Sequence, residues 1–139
     1  MAAELSTKTI IRRESLTAVA ESRLLDADAL VQAGRFTAAV YIGGYTVECY
    51  LKAAICKTLD LDELPGTFAV HNLEVLLFYS GLNRQIQGHP SAHYAFNKLR
   101  DVWSERVRYE DPAKYTKTQA ESVINWVIEV VQWIKPKTS

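Results

Sequence analysis

Proline placement constrains this chain more than any other feature, because the four prolines stand at positions 65, 90, 112 and 136. A proline inside a helix deletes a hydrogen bond and clashes with the preceding turn. These positions therefore mark borders, and the long segments between them are free to run as helices. Within those segments apolar residues recur every three or four positions, the period of a helix with one buried face. Leu16, Ala20, Leu24, Ala27 and Val31 predict a first helix over 13–33, stopped by Gly34. Val40, Gly43, Val47, Leu51, Ala54 and Thr58 predict a second over 36–59. A short third helix is expected over 73–81. Ala92, Phe96, Leu99 and Trp103 predict a fourth over 91–105, and the last, 118–134, ends before Pro136. Loops fill 60–69, 83–90 and 106–115. No stretch alternates with a two-residue period between hairpin turns, so essentially no sheet is expected. The reading is all-α: an up-and-down antiparallel helical bundle of about five helices.

At 139 residues the chain makes one domain, 1–139, with its core over about 13–135. A domain of this size buries about two thirds of its unfolded surface, so it needs no metal or disulfide to hold it. Sixteen basic residues balance sixteen acidic ones. Zero net charge argues against DNA-coating and anionic-membrane proteins, both of which depend on a large positive field; a local basic pocket is compatible with it. Wholly apolar stretches such as Val75–Tyr79 reach five residues, far short of the roughly 20 a spanning helix needs. The first residues lack a basic region followed by an apolar one. No membrane association and a cytoplasmic location are expected. Cys49 and Cys56 stand seven apart in one helical pattern, about 10.5 Å along the axis. That is too far for a bridge, so they read as buried free thiols.

The last helix is more apolar than a one-sided packer requires. Val123, Val127, Val131 and Ile134 can face the bundle, while Trp126, Val130 and Trp133 form a second stripe. Either a neighbouring helix of the same chain covers that stripe, or it is a partner surface, with homodimerisation the simplest form.

The second helix carries most of the suggestive chemistry. Gly43 and Gly44 lie inside it, each costing roughly 1 kcal/mol relative to Ala. That cost suggests close approach of a backbone or a ligand. A dinucleotide loop is excluded, since no strand precedes and no third glycine follows. Tyr41, Tyr45, Glu48 and Lys52 share one polar face by their spacing. On periodicity alone this is a solvated face with one Glu-to-Lys pair. The loop before the last helix brings Arg106 and Arg108 beside Tyr109, a planar fork for phosphate and a stacking face for a base. Glu105, Glu110 and Asp111 offer local neutralisation instead. His71, His89 and His93 make no metal set: Pro90 is expected to break the helix that would join the last two, and no C-x-x-C is present. No metal and no cofactor are expected.

Three groups of residues then form a pattern: Gly44-Tyr45-x-x-Glu48-x-x-Leu51-Lys52-Ala53, then His71-Asn72-Leu73, then Arg108-Tyr109 ahead of the last helix. Together they resemble the HEPN domain family (higher eukaryote and prokaryote nucleotide-binding) over about Leu16 to Ile134. The resemblance implies an all-α up-and-down bundle that commonly dimerises and is often encoded beside a minimal nucleotidyltransferase. Some members are metal-independent RNA endonucleases acting as toxins or antiviral effectors. Those use an Arg followed by a polar residue, with a His four to six residues after the Arg, the Arg stabilising the phosphorane and the His serving as acid or base.

This sequence departs from the nuclease pattern at the decisive point. Tyr109 follows the matching Arg108, and no histidine occurs after His93. Tyr115 follows Arg108 after six intervening residues, but an ordinary phenol titrates at about 10. Arg84 and His89 have the spacing but lie in the wrong loop. The expectation is therefore a module without that nuclease motif, leaning away from catalysis. Tyr45, Glu48, Lys52, Arg106, Arg108 and Tyr109 are its candidate ligand-binding residues, and Trp126, Val130 and Trp133 its interface. Glu48 would pair with Arg108, either as a structural lock or as the floor of a polar pocket. Expected partners are a second copy, a nucleotidyltransferase, and a nucleotide or RNA, in a toxin–antitoxin or defence-type setting. The alternatives are a divergent metal-independent RNA endonuclease using Arg108 with Tyr109 or Tyr115, or with a histidine brought in by folding, and a structural scaffold subunit.

Overall fold

Three residues, 33–35, join α1 (Arg13–Gln32) to α2 (Phe36–Thr58). Gly34 sits among them at φ 75°, the left-handed geometry that ends a helix and reverses the chain. The two helices consequently pack along each other as an antiparallel pair. The computed structural model describes residues 10–139 and continues with α3 (Leu73–Tyr79), α4 (Pro90–Val102) and α5 (Lys117–Ile134). Asn72 caps α3, its side chain accepting from the Val75 amide. Thr116 and Gln119 form a reciprocal capping box at the start of α5. Short 3-10 turns occupy Gly66–Phe68, Gln85–Gly88, Glu105–Tyr109 and Lys135–Thr138. The expected all-α bundle is what forms. Among the described residues the only β-type pairing is one isolated bridge, Arg12 to Glu63. No described helix is long and apolar enough to cross a membrane.

α2 is the central helix, packed by α1, α3 and α5, while α4 lies against α5. Every residue from Thr46 to Cys56 is buried. A helix covered on all sides has no solvated face, so the expectation of one for Glu48 and Lys52 is corrected: they are 1% and 6% exposed. Both cysteines are free and buried, as expected. Burial is the main reason the Cys49 thiol is pushed up to about 11 and the Tyr45 phenol beside it to about 12.

Two further expectations change. Val130 and Trp133 are buried within the chain's own fold, at 1% and 8% exposure, and Trp126 is half-buried against the core. α4 covers α5, and Lys137 of the terminal turn lies 4.9 Å over the Trp133 ring. The tryptophan stripe is therefore closed internally and offers little to a partner. Pro90 does not break a helix but starts one, in the first turn of α4, where its missing N–H has no partner to lose.

Candidate functional site

α4 stops at Val102 rather than at 105 because Trp103 turns back into the bundle. Its backbone is extended (φ −114°, ψ 133°), and its indole fills the notch left by Gly44 on α2. A methyl group at Gly44 would occupy the space of the indole ring. The indole N–H donates to the Tyr41 carbonyl at 3.1 Å, and the ring stacks on Tyr41 at 6.2 Å. The close approach that Gly44 permits is thus a tryptophan's, neither a backbone's nor a ligand's. Gly43 serves likewise: a Cβ there would lie 2.8 Å from the Ile124 side chain.

Trp103 fixes where the next turn begins. Ser104 caps the 3-10 turn Glu105–Tyr109, accepting from the Arg106 amide. Val107, 4% exposed, plugs the core from the middle of that turn. With Trp103 and Val107 inside, Arg106, Arg108 and Tyr109 face outward. The Arg108 guanidinium lies 4.9 Å over the Tyr109 ring, a cation–π contact. Hydrogen bonding with Tyr41 first, then Tyr109, raises its pKa, so it is charged at any working pH.

The expected Glu48–Arg108 pair does not form. The Glu48 carboxylate is taken on one oxygen by Lys52 Nζ at 3.0 Å and on the other by His71 Nδ1 at 3.1 Å. Arg108 meets Glu105 at 3.9 Å, the long end of an ion pair. Glu105 also receives His71, with Nε2 to Oε2 at 3.3 Å. The charges run as one chain from core to surface: Lys52, Glu48, His71, Glu105, Arg108. Glu48 and Arg108 are joined only through two intermediaries. A buried pair such as Glu48–Lys52 is costly to desolvate and costly to halve, which makes it the fixed inner end of this chain.

Of the candidate residues, the fold gathers Arg106, Arg108 and Tyr109 on one turn with Tyr41 beneath. Tyr45 stacks on Tyr41 at 6.5 Å and is half-buried. Glu48 and Lys52 lie deeper, connected to the turn through His71. The Tyr115 hydroxyl points to the Val102 carbonyl at 3.5 Å. Sequence reasoning named Glu105 as a local neutraliser of the arginines but missed His71 as the residue that links it to Glu48, and missed Arg35 beside the turn. Arg35 stands at the N-cap of α2 and lines a shallow hollow of about 510 Å³ with Thr37, Tyr41, Val107, Arg108 and Pro112. For His71 a signal did exist, since it precedes the capping Asn72 and is thereby held at the start of α3. His89 is the N-cap residue of α4 and His93 lies just inside the helix, and no group of three or more metal-ligating side chains occurs among the described residues.

A family model for the HEPN domain matches residues 14–137. The chain belongs to that family, which is generally associated with nucleotides and RNA. No curated protein and no solved structure matches the chain significantly.

Proposed function

We propose that this HEPN domain is a nucleotide- or RNA-binding module whose phosphate-recognising surface is the turn from Arg106 to Tyr109. The observation that carries the reading is that, among the described residues, no carboxylate comes closer to Arg108 than 3.9 Å. Glu48 is committed to Lys52 and His71, and the remaining carboxylate approaches Arg108 only at 3.9 Å. An exposed pair of that kind is worth at most about 1 kcal/mol, so the guanidinium fork is available to a phosphate. Tyr109, 76% exposed, supplies a stacking face for a base. The adjoining hollow adds Arg35 and the start of α2, whose first turn carries no acid.

Homodimerisation and pairing with a minimal nucleotidyltransferase, in a toxin–antitoxin or defence-type system, belong to the same proposal and draw their support from the family. With Val130 and Trp133 buried, a self-contact would use other apolar side chains; Val75, Phe78 and Tyr79 on α3 are exposed. The test of the binding reading is fluorescence anisotropy with a labelled short RNA across a salt series. Wild type should bind, and Arg108→Ala should weaken binding and flatten the salt dependence. Equal binding by both proteins would count against the site. A stable complex with a nucleotidyltransferase but no ligand would favour the scaffold reading.

A second reading, a divergent metal-independent ribonuclease, is favoured by one observation: folding brings a histidine, His71, to within one residue's link of Arg108. In that reading His71 replaces Tyr109 and Tyr115 as the proton-transfer group. It predicts RNA cleavage in EDTA that is lost in both His71→Gln and Arg108→Ala.

A further inference from the structure

Glu105 is the one charged group at the centre of this surface that a phosphate-binding role leaves unexplained. A single oxygen, Oε2, lies 3.3 Å from His71 Nε2 and 3.9 Å from Arg108 Nη2. Two nitrogen groups from different elements therefore converge on one acceptor. The other face of the imidazole is held by Glu48 at 3.1 Å. The imidazole therefore stands between two carboxylates, one on each ring nitrogen. The inner end of this arrangement is rigid, because Glu48 is 1% exposed and tied to Lys52. The outer end is not: the Glu105 side chain is 41% exposed on a five-residue 3-10 turn.

We propose that His71 and Arg108 form the seat for an oxygen of the ligand's phosphate, and that Glu105 fills this seat in the free protein as an internal stand-in. The ligand binds by displacing it. This inference rests on the reading of Arg108 as a phosphate-binding residue. Carboxylate and phosphate oxygens accept the same charge-assisted hydrogen bonds, so one substitutes for the other without rearranging the donors. A phosphate offers more acceptor oxygens, and the half-exposed Glu105 contacts are weak. The hollow beside His71, about 410 Å³ and lined by Val70, Asn72, Ser104 and Arg106 among others, gives room for the phosphate and for the displaced side chain. Arg106 adds a further positive charge at its rim. The stand-in occupies both groups until a stronger anion arrives.

The probe is a fluorescein-labelled short RNA, titrated against full-length wild type, Glu105→Gln, Glu74→Gln and the double variant Glu105→Gln/His71→Gln. Glu74 is an exposed acid on α3 and controls for the simple loss of one negative charge. Glu105→Gln should tighten binding by about five- to tenfold. Glu74→Gln should change it by less than about twofold. The double variant should lose the gain, as expected for residues that act on one group. If Glu105→Gln binds no better than wild type while Arg108→Ala still loses binding, the stand-in is refuted and the binding surface survives. Equal tightening in Glu105→Gln and Glu74→Gln would also refute it, since net charge would then suffice. A gain that persists without His71 would remove the histidine from the seat. If wild type fails to bind at all, both the surface and the seat are overturned.

Discussion

Replacing Gly44 by alanine should be strongly destabilising, although alanine is the better helix former. The added methyl falls inside the Trp103 indole, which is 5% exposed and cannot retreat without leaving the core. Expelling a buried tryptophan costs about 3–5 kcal/mol. Losing its hydrogen bond to the Tyr41 carbonyl adds about 1 kcal/mol. Alanine in a helix interior returns about 1 kcal/mol. The net loss is about 3–5 kcal/mol, a fall of about 10–15 °C in Tm for a chain of this length. Urea unfolding followed by circular dichroism and tryptophan fluorescence measures it. Trp103→Ala should cost a similar amount, and adding it to Gly44→Ala should cost little more, because both remove one contact. RNA binding should fall with stability, since Trp103 sets the start of the Arg106–Tyr109 turn. A Gly44→Ala protein as stable as wild type, or about 1 kcal/mol more stable, would refute the reasoning.

Lys52→Met should destabilise by about 3–5 kcal/mol because it leaves a buried carboxylate with His71 alone, whereas Glu48→Leu/Lys52→Met should lie much closer to wild type; chemical denaturation of the three proteins compares them. Trp133→Ala should cost about 3–5 kcal/mol at every protein concentration, because the ring is buried within one chain; a loss that disappears on concentrating the protein would restore the partner surface. Cys49 should resist an aromatic disulfide reagent at pH 8 until the protein unfolds, since burial holds the thiol up at about 11. Stability should also depend on alkaline pH. Cys49 (9.0 raised to about 11) and Tyr45 (10.0 raised to about 12) ionise first in the unfolded chain, so their contribution is present below pH 9 and is lost as pH rises towards 12. Denaturant midpoints measured from pH 8 upward should fall across that window.

The helices were legible because prolines and Gly34 punctuate a strong helical period, and their boundaries came within a few residues. The error at the end of α4 has a physical cause: Trp103 continues the apolar period of its helix, so periodicity extends the helix through it. What ends the helix is tertiary, the notch at Gly44 far earlier in the chain. The same notch explains a glycine whose cost was visible in sequence but whose occupant was not. Glu48 and Lys52 looked solvated because their spacing matches an exposed pair, and only the covering of α2 on every side buries them. The Trp126, Val130 and Trp133 stripe was ambiguous for the converse reason, since a period cannot say which neighbour covers a face. For the candidate site, residue types and their order along the chain were readable, but pairings were not. Glu48 has a lysine one turn away and a histidine delivered by the start of α3, which leaves Arg108 to Glu105, Tyr41, Tyr109 and solvent.

The central claim is that Arg108 is a free phosphate-binding group and not a structural lock, and a thermal-melt comparison of wild type with Arg108→Ala addresses it most directly. Nucleotides and short RNAs form the ligand panel. Without ligand the two proteins should melt within about 2 °C of each other, because an exposed pair contributes so little. A binding ligand at about 100 times its dissociation constant adds about 2.7 kcal/mol, so wild type should rise by several degrees and Arg108→Ala should not. A large drop in the melting temperature of unliganded Arg108→Ala, with no ligand raising that of wild type, would contradict the account and make Arg108 a lock.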